Sequence, residues 1–275
     1  MSKLRIIITG GNGLLGSHFK KKYSNKYNII KYPHRIENFK KFDNWIKRRK
    51  FEFFIHFAAI TRSESIKLKK KINLINVRSS INIIKTLNKN KIQDFRFFLF
   101  ISSSHVYGFS KKKVSEEYRR NPLNIYGKSK KIVEDYILKN QNKNYFKCGI
   151  ARIFNTTGKN QKRGNFVPDM VDKIKKNNKI YNVNELRDFI HIDDVCKSLE
   201  IILIKKVTQP INISSGKKIN LIDVCKKINK FFIKKKNLKF DKEKGKDLFG
   251  DNIFLKKLGM TKFKNIDQTI KAFRY

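Results

Sequence analysis

Acidic residues are scarce: Asp and Glu number 22 in 275 residues against 65 Lys and Arg, leaving a formal charge of +43. Such an excess ordinarily points to a polyanionic partner, nucleic acid or an anionic membrane. The cations, however, run the whole length of the chain in company with abundant Asn, Ile and Phe, and form no separate basic tail. Codon bias in an AT-rich genome produces the same pattern, so the charge alone names no partner. No aromatic-basic stacking motif of the RNA-recognition kind accompanies it, and nucleic acid is not an expected ligand.

Cysteine is sparse too. Cys148, Cys196 and Cys225 lie far apart and never form a CxxC pair, which excludes a disulfide framework, indicates no zinc or other metal site, and fits a reducing cytoplasm. Long apolar runs are missing, since none approaches the roughly 20 residues that cross a bilayer. The N-terminus enters Leu4 to Ile8 and then glycines, without the apolar region and cleavage site of a secretory leader. A soluble, cytoplasmic protein with no membrane partner is expected. Internal repeats and low-complexity linkers are absent, and the basic runs Lys69 to Lys71 and Lys234 to Lys236 read as solvated helix ends or loops. At 40% apolar residues the chain can build one sizeable core, or a large domain carrying a smaller lobe.

What is present is alternation. Short β-rich apolar runs alternate with amphipathic segments, which predicts βαβ units around a parallel sheet, an α/β fold. Strands are expected at Leu4 to Ile8, Tyr27 to Tyr32, Phe51 to Phe57 and Phe95 to Ile101. Helices are expected at Leu14 to Tyr23 and at Ile72 to Leu87, the second with Ile75, Val77, Ile81 and Ile84 at helical spacing. The second half predicts strands at Lys147 to Phe154 and Ile211 to Ser214. Its helices fall at Ile125 to Leu138, Val167 to Lys176, a stretch through Leu203 capped by Asp193 or Asp194, Leu221 to Phe232 opened by Asn220, Ile253 to Leu258, and Ile266 to Phe273.

Thr9-Gly10-Gly11-Asn12-Gly13-Leu14-Leu15-Gly16 follows a strand and opens a helix. Glycines there permit a tight turn and close approach of the backbone to a pyrophosphate, and the helix N-terminus supplies unpaired N–H groups, so a dinucleotide fits. A mononucleotide P-loop is disfavoured, because Ser17-His18 stands where that motif needs Lys then Ser or Thr. After the second strand, Tyr32-Pro33-His34-Arg35 contains no acid for a ribose 2′-hydroxyl, whereas Arg35 can pair with a 2′-phosphate. NADP(H) is therefore favoured over NAD(H).

Ile101-Ser102-Ser103-Ser104 leaves a buried strand at its C-terminal end, where open α/β sheets bind ligands. Further on, Tyr126 and Lys130 stand at i and i+4 on one helix face. A free tyrosine has a pKa of about 10, and a nearby ammonium is expected to lower it. Tyr126 then reads as the general acid or base, Lys130 as its electrostatic partner and a donor to a nicotinamide ribose, and Ser103 as the group holding the reacting oxygen.

With these residues in view the chain resembles the extended short-chain dehydrogenase/reductases of the epimerase/dehydratase family, which process sugar nucleotides, over nearly its whole length. Thr9 to Gly16 matches the TGxxGxxG loop, His56-Phe57-Ala58-Ala59 the HxAA strand end beside the cofactor, and Asn76 the helix asparagine that supports the site. Ala151-Arg152-Ile153-Phe154-Asn155 is similar to RxFN, whose asparagine faces substrate, and Ile211 to Gly216 to the YNIGSG strand. Arg187 to Val195 is similar to RDFIHVDDV, whose arginine reaches the substrate pyrophosphate, and Lys244-Gly245-Lys246-Asp247 occupies the region of a basic RxGD contact. The resemblance implies a Rossmann-type doubly wound parallel sheet with a small C-terminal substrate-binding lobe. Residues 1–158 would form the NADP(H)-binding domain, also receiving about 187–213, and residues 159–186 and 214–275 the lobe. It further implies cofactor contacts that include Ile101, Ser102 and Phe154, substrate contacts at Ser104, Asn155, Phe166, Val167, Arg187 and Lys244, and a homodimer through the Tyr126 helix.

Dehydratases of the family carry an Asp-Glu pair after the catalytic Ser or Thr, and here those positions are Ser104 and His105. A 4-keto reductase or a 4-epimerase remains. Phe154 to Gln161 and Asn165-Phe166-Val167-Pro168 are similar to segments of GDP-4-keto-6-deoxymannose reductases, enzymes of surface-polysaccharide precursor synthesis. The expectation is an NADPH-dependent reductase of a 4-keto-6-deoxy nucleotide sugar, with a 4-epimerase as the alternative and a non-catalytic nucleic-acid binder on the same fold as the rival from another class.

Overall fold

Strand β1 (Arg5–Thr9) pairs in parallel with β2 (Asn28–Lys31) on one side and with β3 (Phe53–His56) on the other. The computed structural model describes residues 3–176, 180–181, 183–233, 236–241, 243 and 245–273; Lys244, Lys234 and Lys235 lie outside them. Strand β3 pairs in parallel with β4 (Phe97–Ser103), and β5 (Lys147–Ile153) and β8 (Pro210–Ile213) complete a six-stranded parallel sheet of order β2-β1-β3-β4-β5-β8. The chain leaves β1 toward β2 and returns to β3 on the other side. That reversal makes the C-terminal end of β1 a topological switch point, the place where doubly wound sheets bind ligands. Among the described residues β2 is the edge strand beyond β1, and between β2 and β3 the chain forms a helix, Phe39–Ile46, started by the side chain of Asn38 accepting from Lys41 N at 3.0 Å. The periodicity of Phe39, Phe42 and Ile46 carried that helix, which the sequence reading did not assign.

The chain divides into two compact units, Met1–Val106 with Arg120–Arg152 and Leu199–Ile211, and Tyr107–Arg119 with Ile153–Ser198 and Asn212–Tyr275. The stretch 187–213 is shared between them, parting at Ser198 and Leu199. The core of the first unit is rich in phenylalanine: Phe54 stacks on Phe98 at 5.5 Å, and Phe95 meets Phe146 at 4.6 Å. Aromatic residues suit strands buried on both faces, since each ring contributes a large apolar area in few rotamers. In the second unit β6 (Asn155–Thr157), β7 (Leu186–His191) and β9 (Lys218–Asn220) form a small sheet, with β7 parallel to β6 and antiparallel to β9. Its core gathers Val167, Met170, Val171, Phe189, Val224 and Ile270.

Several helices differ from expectation. The stretch from Lys69 to Asn90 is helical throughout but passes through a π-helical segment, Asn73–Arg78, which carries Asn76. Helix Ile192–Lys205 starts one residue before Asp193, so Asp193 and Asp194 occupy its first turn, where carboxylates favour the helix dipole, and neither caps it. Asn220 does cap Leu221–Ile228, accepting from Ile222 N at 2.8 Å, and a π-helical turn, Asn229–Ile233, follows. Among the described residues no helix is long and apolar enough to cross a membrane.

Candidate active site

The glycine turn sits at the end of β1. Gly10 has φ +66°, and a Cβ there would lie 2.6 Å from Ala58 N, so only glycine can bring the turn against the end of β3. A Cβ at Gly16 would lie 2.5 Å from Gly10 O, which explains why the helix Leu14–Tyr23 can begin so close to the turn. Gly13 N donates to Gly10 O at 2.9 Å and closes it. The first-turn N–H groups of Leu14, Leu15 and Gly16 have no acceptor within their own helix, and Gly13 offers no capping side chain. Bare N–H groups, the helix dipole and a surface with no side chain fit a pyrophosphate. Phe57, Ala58 and Ala59 line the neighbouring strand end, each partly buried, and Ala58 N donates to Thr9 Oγ1 at 3.3 Å. Arg35 lies exposed on the loop after β2.

Ser103, Tyr126 and Lys130 come together in the same unit. Helix Ile125–Asn140 is started by Asn124, whose side chain accepts from Gly127 N at 2.8 Å, so Tyr126 stands in the first turn. Its hydroxyl approaches Ser103 at the end of β4. One turn on, Lys130 is only 2% exposed; its Nζ donates to Ile101 O at 2.8 Å and lies 5.8 Å from the Tyr126 ring centre. Burial pushes the Tyr126 phenol up to about 12, with the Ser103 hydrogen bond pulling weakly the other way. Burial likewise brings the Lys130 ammonium down to about 7, against the attraction of Glu134. The expected direction for Tyr126 is therefore reversed in the ligand-free protein. Desolvation disfavours both charged forms, and at Tyr126 it outweighs the help of Ser103.

Behind the trio lies a charged network not anticipated from sequence. Glu134, a further turn beyond Lys130, is fully buried and accepts from Ser102 Oγ at 2.5 Å, from Arg152 Nη2 at 2.7 Å and from Arg120 Nη1 at 3.2 Å. Ser102 and Ile101 thus spend a hydroxyl and a carbonyl on Glu134 and Lys130, anchoring the end of β4 to the helix. The i+4 spacing from Lys130 to Glu134 was the available signal, but a lone acid on a helix ordinarily means a solvated face. Asn76 is buried, and its side chain accepts from Ile60 N at 2.7 Å and donates to Ile60 O at 2.9 Å and to Ser129 Oγ at 3.1 Å. It supports the site by joining the loop after β3 to the Tyr126 helix.

The remaining expected residues fall as follows. Ser104 opens a buried 3-10 turn, Ser104–Val106. In the second unit, Phe154 is buried, Asn155 donates to Asp188 O at 2.8 Å, and Phe166 packs 5.9 Å from Phe189. Val167 is 1% exposed, its side chain packed within that unit's core. Arg187 is held by Glu185 at 2.6 Å and by the carbonyls of Leu186 and Lys246. The neighbouring Asp188 is buried and accepts from Ser215 N, Ser215 Oγ and Gly216 N, donors that offset a burial cost raising its carboxyl to about 7.

Residues 6–214 match the model of the NAD dependent epimerase/dehydratase family. The chain belongs to that family of enzymes. Among the relatives of this epimerase/dehydratase member, GDP-6-deoxy-D-talose 4-dehydrogenase of Aggregatibacter actinomycetemcomitans is 26% identical, over 78% of this chain and 75% of the relative. A putative UDP-glucose 4-epimerase of Methanocaldococcus jannaschii is 29% identical over 78% of each. Two solved structures share the fold: UDP-glucose 4-epimerase of Thermotoga maritima with UDP-glucose (TM-score 0.87, 20% identity, 98% of this chain and 97% of that one) and RMD of Pseudomonas aeruginosa complexed with NADPH (TM-score 0.86, 20% identity, the same coverage). The family frame accounts for a glycine turn and a Ser-Tyr-Lys cluster in one sheet-based unit.

Proposed function

We propose that this epimerase/dehydratase member is an NADPH-dependent reductase of a 4-keto-6-deoxy nucleotide sugar, acting through Ser103, Tyr126 and Lys130. The observation that carries the reading is the approach of Tyr126 to Ser103 at the C-terminal end of β4, with Lys130 buried one helical turn away. The glycine turn, Arg35 and the Phe57 to Ala59 strand end would hold the dinucleotide, and a bound nicotinamide supplies the hydride donor. The protein's own task is the proton. Tyr126, which keeps its proton, donates it to the oxygen that develops charge at C4, while the Ser103 hydroxyl stabilises that oxygen. Lys130 orients the phenol and donates toward the ribose. Asn155, Arg187 and Lys244 would meet the sugar nucleotide.

Likeness to GDP-6-deoxy-D-talose 4-dehydrogenase and to an NADPH-bound structure supports the reductase, whereas likeness to UDP-glucose 4-epimerases supports the second reading, a 4-epimerase. Supplying NADPH with a panel of 4-keto-6-deoxy sugar nucleotides separates the two. Stoichiometric cofactor oxidation is expected, and C4 interconversion without net consumption would instead identify an epimerase. Replacing Arg35 with Ala should weaken NADPH binding by about 10-fold or more, the scale of one charge-assisted hydrogen bond, and spare NADH. Equal effects on both cofactors would remove the 2′-phosphate role. The same reading places the enzyme in the cytoplasm, in surface-polysaccharide precursor synthesis, as a homodimer through helix Ile125–Asn140, which exposes Ile132 and Leu138.

A further inference from the structure

We infer that His56 is a positioning residue whose neutral, Nε2-protonated ring ties the glycine turn to the helix of Tyr126. The inference rests on the dinucleotide-binding reading above, and its basis is proton accounting along one buried chain of hydrogen bonds. His56 ends β3 with no exposed surface, its Nδ1 2.7 Å from Thr9 Oγ1 and its Nε2 2.9 Å from Ser80 Oγ. The single hydroxyl proton of Ser80 goes to Asn76 O at 2.7 Å, so Ser80 Oγ can only accept from His56, and Nε2 must carry the proton. Nδ1 is then the acceptor, and Thr9 Oγ1, which receives Ala58 N–H, donates to it.

Every bond in the chain runs one way, from the glycine-turn strand through His56 and Ser80 to Asn76. Ser80 meets the backbone carbonyl of Asn76, and the link continues through that residue's side chain, whose Nδ2 donates to Ser129 Oγ, which in turn donates to Tyr126 O at 2.7 Å. A second proton on the ring would leave Thr9 Oγ1 facing two donors and break that polarity. Phe98 and Phe100 stack near the ring from β4, and the charged group facing it is Lys130 from the Tyr126 helix. Both surroundings oppose a charged imidazole and hold its pKa down at about 3. An imidazole is well suited to the place. It is rigid, and it offers one donor and one acceptor at opposite edges of a dry interior.

Two measurements test this. In the ligand-free protein, long-range ¹H–¹⁵N correlation spectra, assigned by the signal lost in His56→Gln, should show Nε2 protonated and Nδ1 bare from about pH 8 to about pH 5. The Nδ1–H tautomer, or a protonated ring in that range, overturns the inference. For function, His56→Gln keeps one donor and one acceptor and should hold dinucleotide affinity within about threefold, whereas His56→Leu, Thr9→Val and Ser80→Ala should each weaken it by about tenfold, the scale of one lost buried hydrogen bond. Should the Leu variant not fold, the Thr9 and Ser80 variants carry the test. Wild-type affinity in folded Thr9→Val and Ser80→Ala proteins, with only the melting temperature lowered, would make the chain merely structural and sink the proposal. A wild-type protein that binds neither NADPH nor NADH would remove the functional reading instead, and the tautomer measurement would stand apart from it.

Discussion

Tyr126→Phe should lower turnover of a keto-sugar substrate by at least about 100-fold, the usual scale for losing a positioned general acid, while dinucleotide affinity stays near that of the wild type. The ring of Tyr126 and its helix remain in place in the variant; what goes is the hydroxyl that Ser103 meets at the end of β4. Because burial keeps that phenol protonated up to about 12, the wild-type acid is fully loaded across neutral and moderately alkaline pH, and no loss of rate from its deprotonation is expected below that range. Single-turnover oxidation of NADPH with substrate in excess measures the effect directly. Turnover within a few-fold of the wild type would show that another group delivers the proton.

Arg152→Leu should destabilise the protein by about 3 to 5 kcal/mol, the cost of leaving a buried charge without its partner. Arg152 and Glu134 are 2% and 0% exposed, and Glu134 loses its closest cation in this variant while Arg120, at 3.2 Å, and Lys130 one helical turn away remain. The double substitution Glu134→Leu with Arg152→Leu should recover a large part of the loss, because an apolar pair of similar volume avoids burying either charge. Chemical denaturation of the wild type and the two variants measures both numbers. Equal stabilities for the single and the double variant would mean that packing volume, and not the charge, sets the cost.

The alternation of strands and helices was legible because each βαβ element buries its own face, and the residues that mark it are neighbours in the chain. Strands β1, β3 and β4 and helix Leu14–Tyr23 fall within a residue or two of their expected places. Tyr126 and Lys130 were legible for the same reason: four residues apart on a helix is a statement about local geometry. The short strands β6 and β9 carry three residues each, too few for any period to register. Val167 lies on the side of helix Phe166–Lys175 that faces the core of the second unit.

By itself the sequence determined the class of fold, the glycine turn and the placing of Tyr126 and Lys130 on one helix face, since these follow from short-range spacing and backbone sterics. Only the tertiary structure decided the desolvation of Tyr126, the hydrogen-bond partners of His56 and the pairing of Glu134 with Arg152. Those depend on how much water each group loses and which distant atoms replace it, quantities set by the packing of segments far apart along the chain.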